Sequence, residues 1–451
     1  MVNFNQFISD KAELLLETDA IDSSLYSEYD VKRGLRNANG TGVLVGLTRV
    51  GNVVGYERGP KGEKLAVPGK LYYRGYSIEE LVNGFMKEDR FGYEELCYLL
   101  LFGELPNKTE LEDFCAILGS KRQLPGRLAR EVVSTKPSSS IMNMMARNVL
   151  SMYAYDDNPD DTSIENVIRQ SIELIAYFPA LMAYAYQVKS MYIDNKSLHI
   201  YFPEESLSTS ENILRMIRPD GKYTDFEAKV LDIALAVQME HGGGNNSSFT
   251  THLVSSTGTD TYAAIAAALG SLKGPKHGGA NISVIRMIDD LKARVGNIKD
   301  YGKVTDYLRD VLRGEANDGS GLIYGIGHAI YTVSDPRATL LKKLARELAV
   351  EKHMEDDFLL CQFIENKGPE LYEELTGQAK LMPANVDLYS GFVYKALDIP
   401  EELDTPLFAM ARLTGWCAHR LEELISGKKL MRPAYEMVQE LREYEDLSDR
   451  K

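Results

Sequence analysis

Three histidines stand against glycine between residues 240 and 330: in Glu240-His241-Gly242-Gly243-Gly244, in Lys276-His277-Gly278-Gly279 and in Gly325-Ile326-Gly327-His328. Glycine beside an imidazole removes side-chain bulk, so a ligand can approach both the ring and the neighbouring backbone. Asp335-Pro336-Arg337 and Asn385-Val386-Asp387 follow. Imidazoles exchange protons near neutral pH, a carboxylate can act as a base, and a guanidinium grips an anion through paired hydrogen bonds. Together these residues point to a distributed acid–base and anion-binding centre. A net charge of −15 argues against general binding to nucleic acid or anionic membranes. An anionic ligand must then be held by local arginines, and Arg337, Arg412 and Arg432 are the candidates.

Each residue also has a purely structural reading. His241 reads as the end of the helix that begins near Thr224, where the helix dipole favours the charged ring; a C-cap and glycine-rich turn would account for it. His277 falls between two helices, before Asn281 as N-cap. A helix N-terminus there keeps the imidazole neutral, and hydrogen bonds to backbone would equally explain a buried ring. Arg337 lies in a first helical turn, which suits an anionic ligand beside it or a surface pair with Asp335. Asp387 is either a general base or an N-cap. Arg412 and Arg432 are anion forks or solvated side chains.

The elements that must position these groups are mostly helical. Residues 43–76 alone carry β patterning, read as short strands or hairpins with a tip at Gly59-Pro60-Lys61-Gly62-Glu63-Lys64. Ser77-x-x-Glu80 and Thr224-x-x-Glu227 have capping-box spacing. Helices are predicted over 260–272, over 281–294, from Asp335-Pro336 onward and over 406–426; loops are predicted at 155–163, 195–211, 218–223 and 313–321. Four scattered cysteines without a Cys-x-x-Cys argue against a disulfide framework or a zinc site and suit a reducing cytoplasm. The N-terminus lacks signal-peptide features. Dinucleotide, phosphate-loop, nucleophile-elbow and His-Glu-x-x-His motifs do not occur, so neither a metal nor a cofactor is expected.

Taken in order, these segments resemble the citrate synthase family from about Arg33 to Tyr435. The likeness rests on Tyr73-Arg74-Gly75-Tyr76-Ser77-Ile78-Glu79-Glu80-Leu81, Leu99-Leu100-Leu101-Phe102-Gly103-Glu104-Leu105-Pro106 and Gly274-Pro275-Lys276-His277-Gly278-Gly279-Ala280-Asn281. It continues through the His328, Arg337 and Asp387 segments to Ala411-Arg412-x-x-Gly415-Trp416-x-Ala418-His419. The resemblance implies a mostly α, homodimeric enzyme. A large helical domain (1–278 and 393–451) would carry an inserted smaller one (279–392) that closes over the substrates, with minor β hairpins near the N-terminus. It implies condensation of acetyl-CoA with oxaloacetate and hydrolysis of the citryl thioester; 2-methylcitrate synthase and citryl-CoA lyase are the alternatives. His241, His328, Arg337 and Arg412, with Arg432 from the partner, would hold oxaloacetate. His277 would hydrogen-bond the thioester oxygen while Asp387 removes a methyl proton. Three positions depart from the family. Gly242 replaces an acidic residue, Gln238 replaces a histidine, and Thr332 replaces a basic residue that meets coenzyme A, for which Lys276 and Lys380 are substitutes. The first 30 residues match no family element.

Overall fold

The computed structural model describes residues 4–450 except 19, 38, 61, 62 and 135. It is mostly helical, with one small antiparallel sheet, as the sequence periodicities predict. Two compact units are present, 1–47 and 48–451. The first contains helices Phe4–Thr18 and Ser23–Glu28 and a 3₁₀ turn, Arg33–Leu35, and none of its described residues is buried.

In the second unit the sheet is narrower than the patterning suggests. Its strands are β1 (Gly51–Arg58), β2 (Lys64–Tyr73) and β3 (Tyr76–Ser77), in the order β1-β2-β3. Residues 43–47 of the first unit stay irregular because Gly42 and Gly46 interrupt the apolar run and, among the described residues, no strand pairs with it. The predicted hairpin tip joins β1 to β2; its Lys61 and Gly62 lie outside the described residues. The sheet serves as a bed for the segment after His328. A Cβ on Gly55 would fall 2.2 Å from the Ile330 carbonyl oxygen, and one on Gly69 would fall 2.1 Å from that of Ser334. Only glycine admits so close an approach. Gly69 N–H donates to the Ser334 carbonyl at 3.1 Å, and the Thr332 hydroxyl donates to the Gly55 carbonyl.

Helix Asp404–Ser426 runs through the core, buried from Asp404 to Leu421 at nearly every position, including Trp416 and Arg412. Helices Tyr93–Phe102, Ile164–Tyr192, Asn246–Ser255 and Thr261–Lys273 pack around it. Helices Ala280–Val295 and Pro336–Glu351 pack on Val386–Ala396. Among the described residues no helix is long and apolar enough to cross a membrane.

Local signals place most helix starts. The Thr224 capping box forms with both hydrogen bonds, and Asp335 caps the helix that opens on Pro336. Ser77 precedes helix Ile78–Lys87 but makes no side-chain cap. Asn281 is not an N-cap: Gly279 holds that place, and Asn281 sits inside the first turn with its amide donating to Ser390 Oγ at 2.6 Å. A long-range partner outcompeted the local one. The predicted 195–211 loop ends early, where Ser208 and Glu211 form a capping box for helix Thr209–Ile217.

Candidate active site

Residues 325–328 and 383–387 form two loops zipped edge to edge. Gly327 N–H donates to Pro383 O at 2.7 Å, Asn385 N–H to Gly325 O at 2.9 Å, and Asn385 Nδ2 to Gly327 O at 2.9 Å. Asn385 also caps helix Val386–Ala396 by accepting the Asp387 N–H at 3.0 Å. The cap is therefore Asn385 rather than Asp387, whose carboxylate is released from that structural role. Among the described residues it has no hydrogen-bond partner, and burial pushes its pKa up to about 6 against the pull of Arg337.

His328 is fixed by its own loop. Nδ1 accepts from the Ile330 and Tyr331 N–H groups, both at 3.1 Å. Burial and Arg337 lower the ring's pKa to about 4, so it is neutral and its proton sits on Nε2. Arg337 Nη2 lies 3.4 Å from that Nε2. Two donors cannot satisfy each other, whereas one acceptor oxygen between them would satisfy both. Arg337 is buried, not a surface residue, and forms a fork with Asp335 at 3.0 Å (Nε–Oδ1) and 2.7 Å (Nη2–Oδ2). Asp335 Oδ2 also accepts the Val386 N–H at 3.1 Å. One carboxylate thus orients the arginine, caps its helix and holds the Asp387 loop.

His241 is not at a helix end. Helix Asp225–Ala236 stops five residues earlier, and Gly242, at φ +82°, turns the chain. Far from being favoured as a cation, the ring is held well below its usual pKa by burial and by Arg337, His328 and Arg412. Its Nε2 is buried without a hydrogen-bond partner among the described residues. The ring lies edge-on to His328 (5.3 Å between centroids) and to Tyr331 (5.6 Å). Arg412 is wholly buried, with Nε donating to the Gln238 carbonyl at 2.7 Å and the guanidinium 4.8 Å over the Phe408 ring. Its Nη1 and Nη2 have no hydrogen-bond partner among the described residues. Burial pushes its pKa down to about 10.

His277 follows helix Thr261–Lys273, and its Nε2 lies 3.1 Å from Ser247 Oγ. A side chain holds it, not backbone alone. Trp416 Nε1 donates to the same hydroxyl at 3.1 Å, while Asn245 Oδ1 competes for the hydroxyl proton at 2.9 Å. Burial and Arg412 lower the ring's pKa to about 4. The neutrality agrees with the sequence reading, but its cause is desolvation and a neighbouring cation.

His241, His277, His328, Arg337, Asp387 and Arg412 thus belong to one electrostatically linked, buried neighbourhood. Arg432 is exposed on the irregular segment after helix Asp404–Ser426, and Lys276 and Lys380 are exposed. Thr332 is committed to the sheet, and Gln238 Nε2 donates to the Tyr394 hydroxyl at 3.0 Å.

Sequence reasoning missed the support behind His241. The acid absent at Gly242 is supplied one residue before the histidine. Glu240 accepts the Gly242 N–H through Oε1 and pairs through Oε2 with His419 Nε2 at 3.0 Å. Burial would raise Glu240, but His419 holds it below its ordinary range; in return His419 is raised to about 9 despite its burial. The adjacency of Glu240 to His241 and the Ala418-His419 motif were the available signals. Tyr331, Phe408 and Ser247 were not singled out by the sequence, and Trp416 entered only as part of the Gly415-Trp416 motif.

Fold and site define a mostly helical protein with a cluster of imidazole and guanidinium side chains beside a carboxylate of raised pKa. The family model described as citrate synthase, C-terminal domain, matches residues 38–434. Citrate synthase of Synechocystis sp. is 33% identical over 369 residues, 81% of this chain and 84% of that protein. Citrate synthase of Corynebacterium glutamicum is 33% identical over 373 residues, 81% and 79%. The crystal structure of citrate synthase from Pyrobaculum aerophilum aligns with a TM-score of 0.74 at 27% identity, covering 93% of this chain and 95% of that one. A ternary complex of carboxymethyl coenzyme A and oxaloacetate with citrate synthase from Thermoplasma acidophilum aligns with a TM-score of 0.75 at 25% identity, covering 93% and 99%. The chain belongs to the citrate synthase family.

Proposed function

We propose that this protein condenses acetyl-CoA with oxaloacetate and hydrolyses citryl-CoA to citrate and coenzyme A. The observation that carries this reading is a convergence of nitrogens short of acceptors: among the described residues Arg412 Nη1 and Nη2 and His241 Nε2 are buried without a partner, and His328 Nε2 faces Arg337 Nη2, a donor already held by Asp335. Buried donors without acceptors cost about 1–3 kcal/mol each, so a site that keeps several is arranged for an anionic, oxygen-rich ligand. Oxaloacetate offers two carboxylates and a carbonyl. Arg337 and Arg412 grip the carboxylates, and neutral His328 polarises the carbonyl through Nε2–H.

Asp387 removes a proton from the acetyl methyl group. Its pKa of about 6 makes it more basic than an ordinary carboxylate, yet it is ionised at neutral pH. His277, neutral, donates from Nδ1 to the developing enolate while Ser247 turns its hydroxyl proton to Nε2. The enol attacks the oxaloacetate carbonyl, and water then cleaves the thioester. The relatives' names and the substrate-analogue complex of the Thermoplasma acidophilum relative support this assignment.

The same reading assigns 279–392 as a smaller domain closing on the rest. It takes the protein as a cytoplasmic homodimer in which Arg432 reaches the partner's site, with Lys276 and Lys380 meeting coenzyme A and no cofactor required. The test is steady-state release of coenzyme A thiol with acetyl-CoA and with propionyl-CoA, each with oxaloacetate. Higher kcat/KM for acetyl-CoA is the expected result. A clear preference for propionyl-CoA, or citryl-CoA cleavage without condensation, overturns it.

A further inference from the structure

Five side chains with no part in that reaction scheme, except that one adjoins His241, meet between helices Asn246–Ser255 and Asp404–Ser426. His419 Nδ1 and His252 Nε2 lie 3.0 Å apart, and Glu422 Oε2 lies 3.8 Å from His419 Nδ1. All three atoms fall within 4.8 Å of one another. The opposite nitrogen of each ring faces a carboxylate: His419 Nε2 meets Glu240 Oε2 at 3.0 Å, and His252 Nδ1 meets Glu423 Oε2 at 2.9 Å. Glu422 Oε1 accepts the Arg49 N–H at 2.6 Å, while its Oε2 is buried without a hydrogen-bond partner among the described residues.

Histidines that bind metals coordinate through one nitrogen and donate the other N–H to a carboxylate, which fixes the tautomer and the ring orientation. Both rings here are held that way. Their remaining nitrogens face each other beside a carboxylate oxygen that makes no hydrogen bond among the described residues. We infer that His252, His419 and Glu422 form a binding site for a transition-metal dication of the zinc class, with Glu240 and Glu423 orienting the two rings.

The donor set, two nitrogens and one oxygen, suits zinc, cobalt(II) or nickel rather than calcium or magnesium, which take oxygen ligands. Bonds of about 2.0–2.2 Å at tetrahedral angles require ligand atoms roughly 3.3 Å apart. The two nitrogens therefore part by a few tenths of an ångström, and Glu422 swings inward. The metal displaces the proton that the two rings share across their contact, and water completes the shell. Gly243 keeps the space beside the rings open: a Cβ there would lie 3.4 Å from His419 Cε1 and 3.6 Å from His252 Nε2. The site is one layer deep, with the His252, Glu422 and Glu423 side chains 11%, 13% and 9% exposed, so an ion can enter from solvent. Because Glu240 precedes His241, a bound metal stiffens the segment that carries that ring.

Chelator-stripped full-length protein titrated with Co²⁺, followed by visible absorption and metal analysis, tests the site. The expected result is one Co²⁺ per chain, displaced by Zn²⁺, with the tight phase lost in His252→Ala. Glu423→Gln weakens binding about 10–100-fold, and Glu422→Gln, which keeps the side chain's size, weakens it about tenfold or more. Absence of saturable Co²⁺ binding by the wild type overturns the proposal. So does unchanged affinity in Glu422→Gln, or in His252→Ala where that variant retains its thermal transition.

Discussion

Replacing Arg412 with methionine separates binding from stability at one position. Arg412 is wholly buried, and among the described residues its Nε donates to the Gln238 carbonyl while Nη1 and Nη2 have no hydrogen-bond partner. Two charge-assisted hydrogen bonds to a substrate carboxylate are worth about 1.5–3 kcal/mol each. Their loss is therefore about 3–6 kcal/mol, or roughly 10²–10⁴-fold in kcat/KM for oxaloacetate. The unliganded protein should respond in the opposite sense. Burial lowers the Arg412 pKa from 12.5 to about 10, which corresponds to about 3 kcal/mol of destabilisation of the charged form. Methionine removes that cost and leaves the Gln238 carbonyl unpaired at about 1–3 kcal/mol. Arg412→Met should thus unfold at the same temperature as the wild type or a higher one, and oxaloacetate should no longer raise its midpoint. Kinetics and ligand-dependent thermal unfolding on the same preparations check both arms. A kcat/KM within tenfold of wild type, or a midpoint that falls steeply without ligand, refutes the reasoning.

Asp387→Asn should lower kcat about 10²–10⁴-fold, the usual contribution of a general base. In the wild type kcat/KM should fall as pH drops through about 6, because Asp387 works only when ionised; a flat profile down to pH 5 would remove it as the base. The His419–Glu240 pair should make stability pH-dependent: the His419 pKa rises from 6.5 to about 9 on folding, so its contribution is complete below pH 6.5 and lost as pH climbs through 9. Denaturant midpoints of wild type and His419→Gln across pH 6–9.5 should converge at the alkaline end, and parallel curves would contradict this. Gly415→Ala places a Cβ 2.4 Å from the Met239 carbonyl oxygen and 2.7 Å from Glu240 Oε2. It should cost about 2 kcal/mol or more and depress activity, read as midpoint and kcat/KM; an unaltered midpoint would argue against that packing.

The sequence by itself determined where several helices begin and which residues stand as candidates for the chemistry. The Thr224 capping box and the Asp335-Pro336 start depend on neighbours within three residues, so spacing alone predicts them. The glycine-flanked histidines, Arg337, Asp387 and Arg412 were legible as candidates by residue type and order. Their states were not. His241 looked like a helix end that favours charge, yet the helix stops early and the ring is neutral among cations. Asp387 looked like a possible cap until Asn385 took that role. Asn281 gave up its predicted cap for Ser390, 109 positions away. Glu240 and His419, 179 positions apart, became a buried ion pair that no local pattern announces. Burial and through-space charge set these outcomes. Both act over a few ångströms between residues that the chain brings together only after its helices have packed.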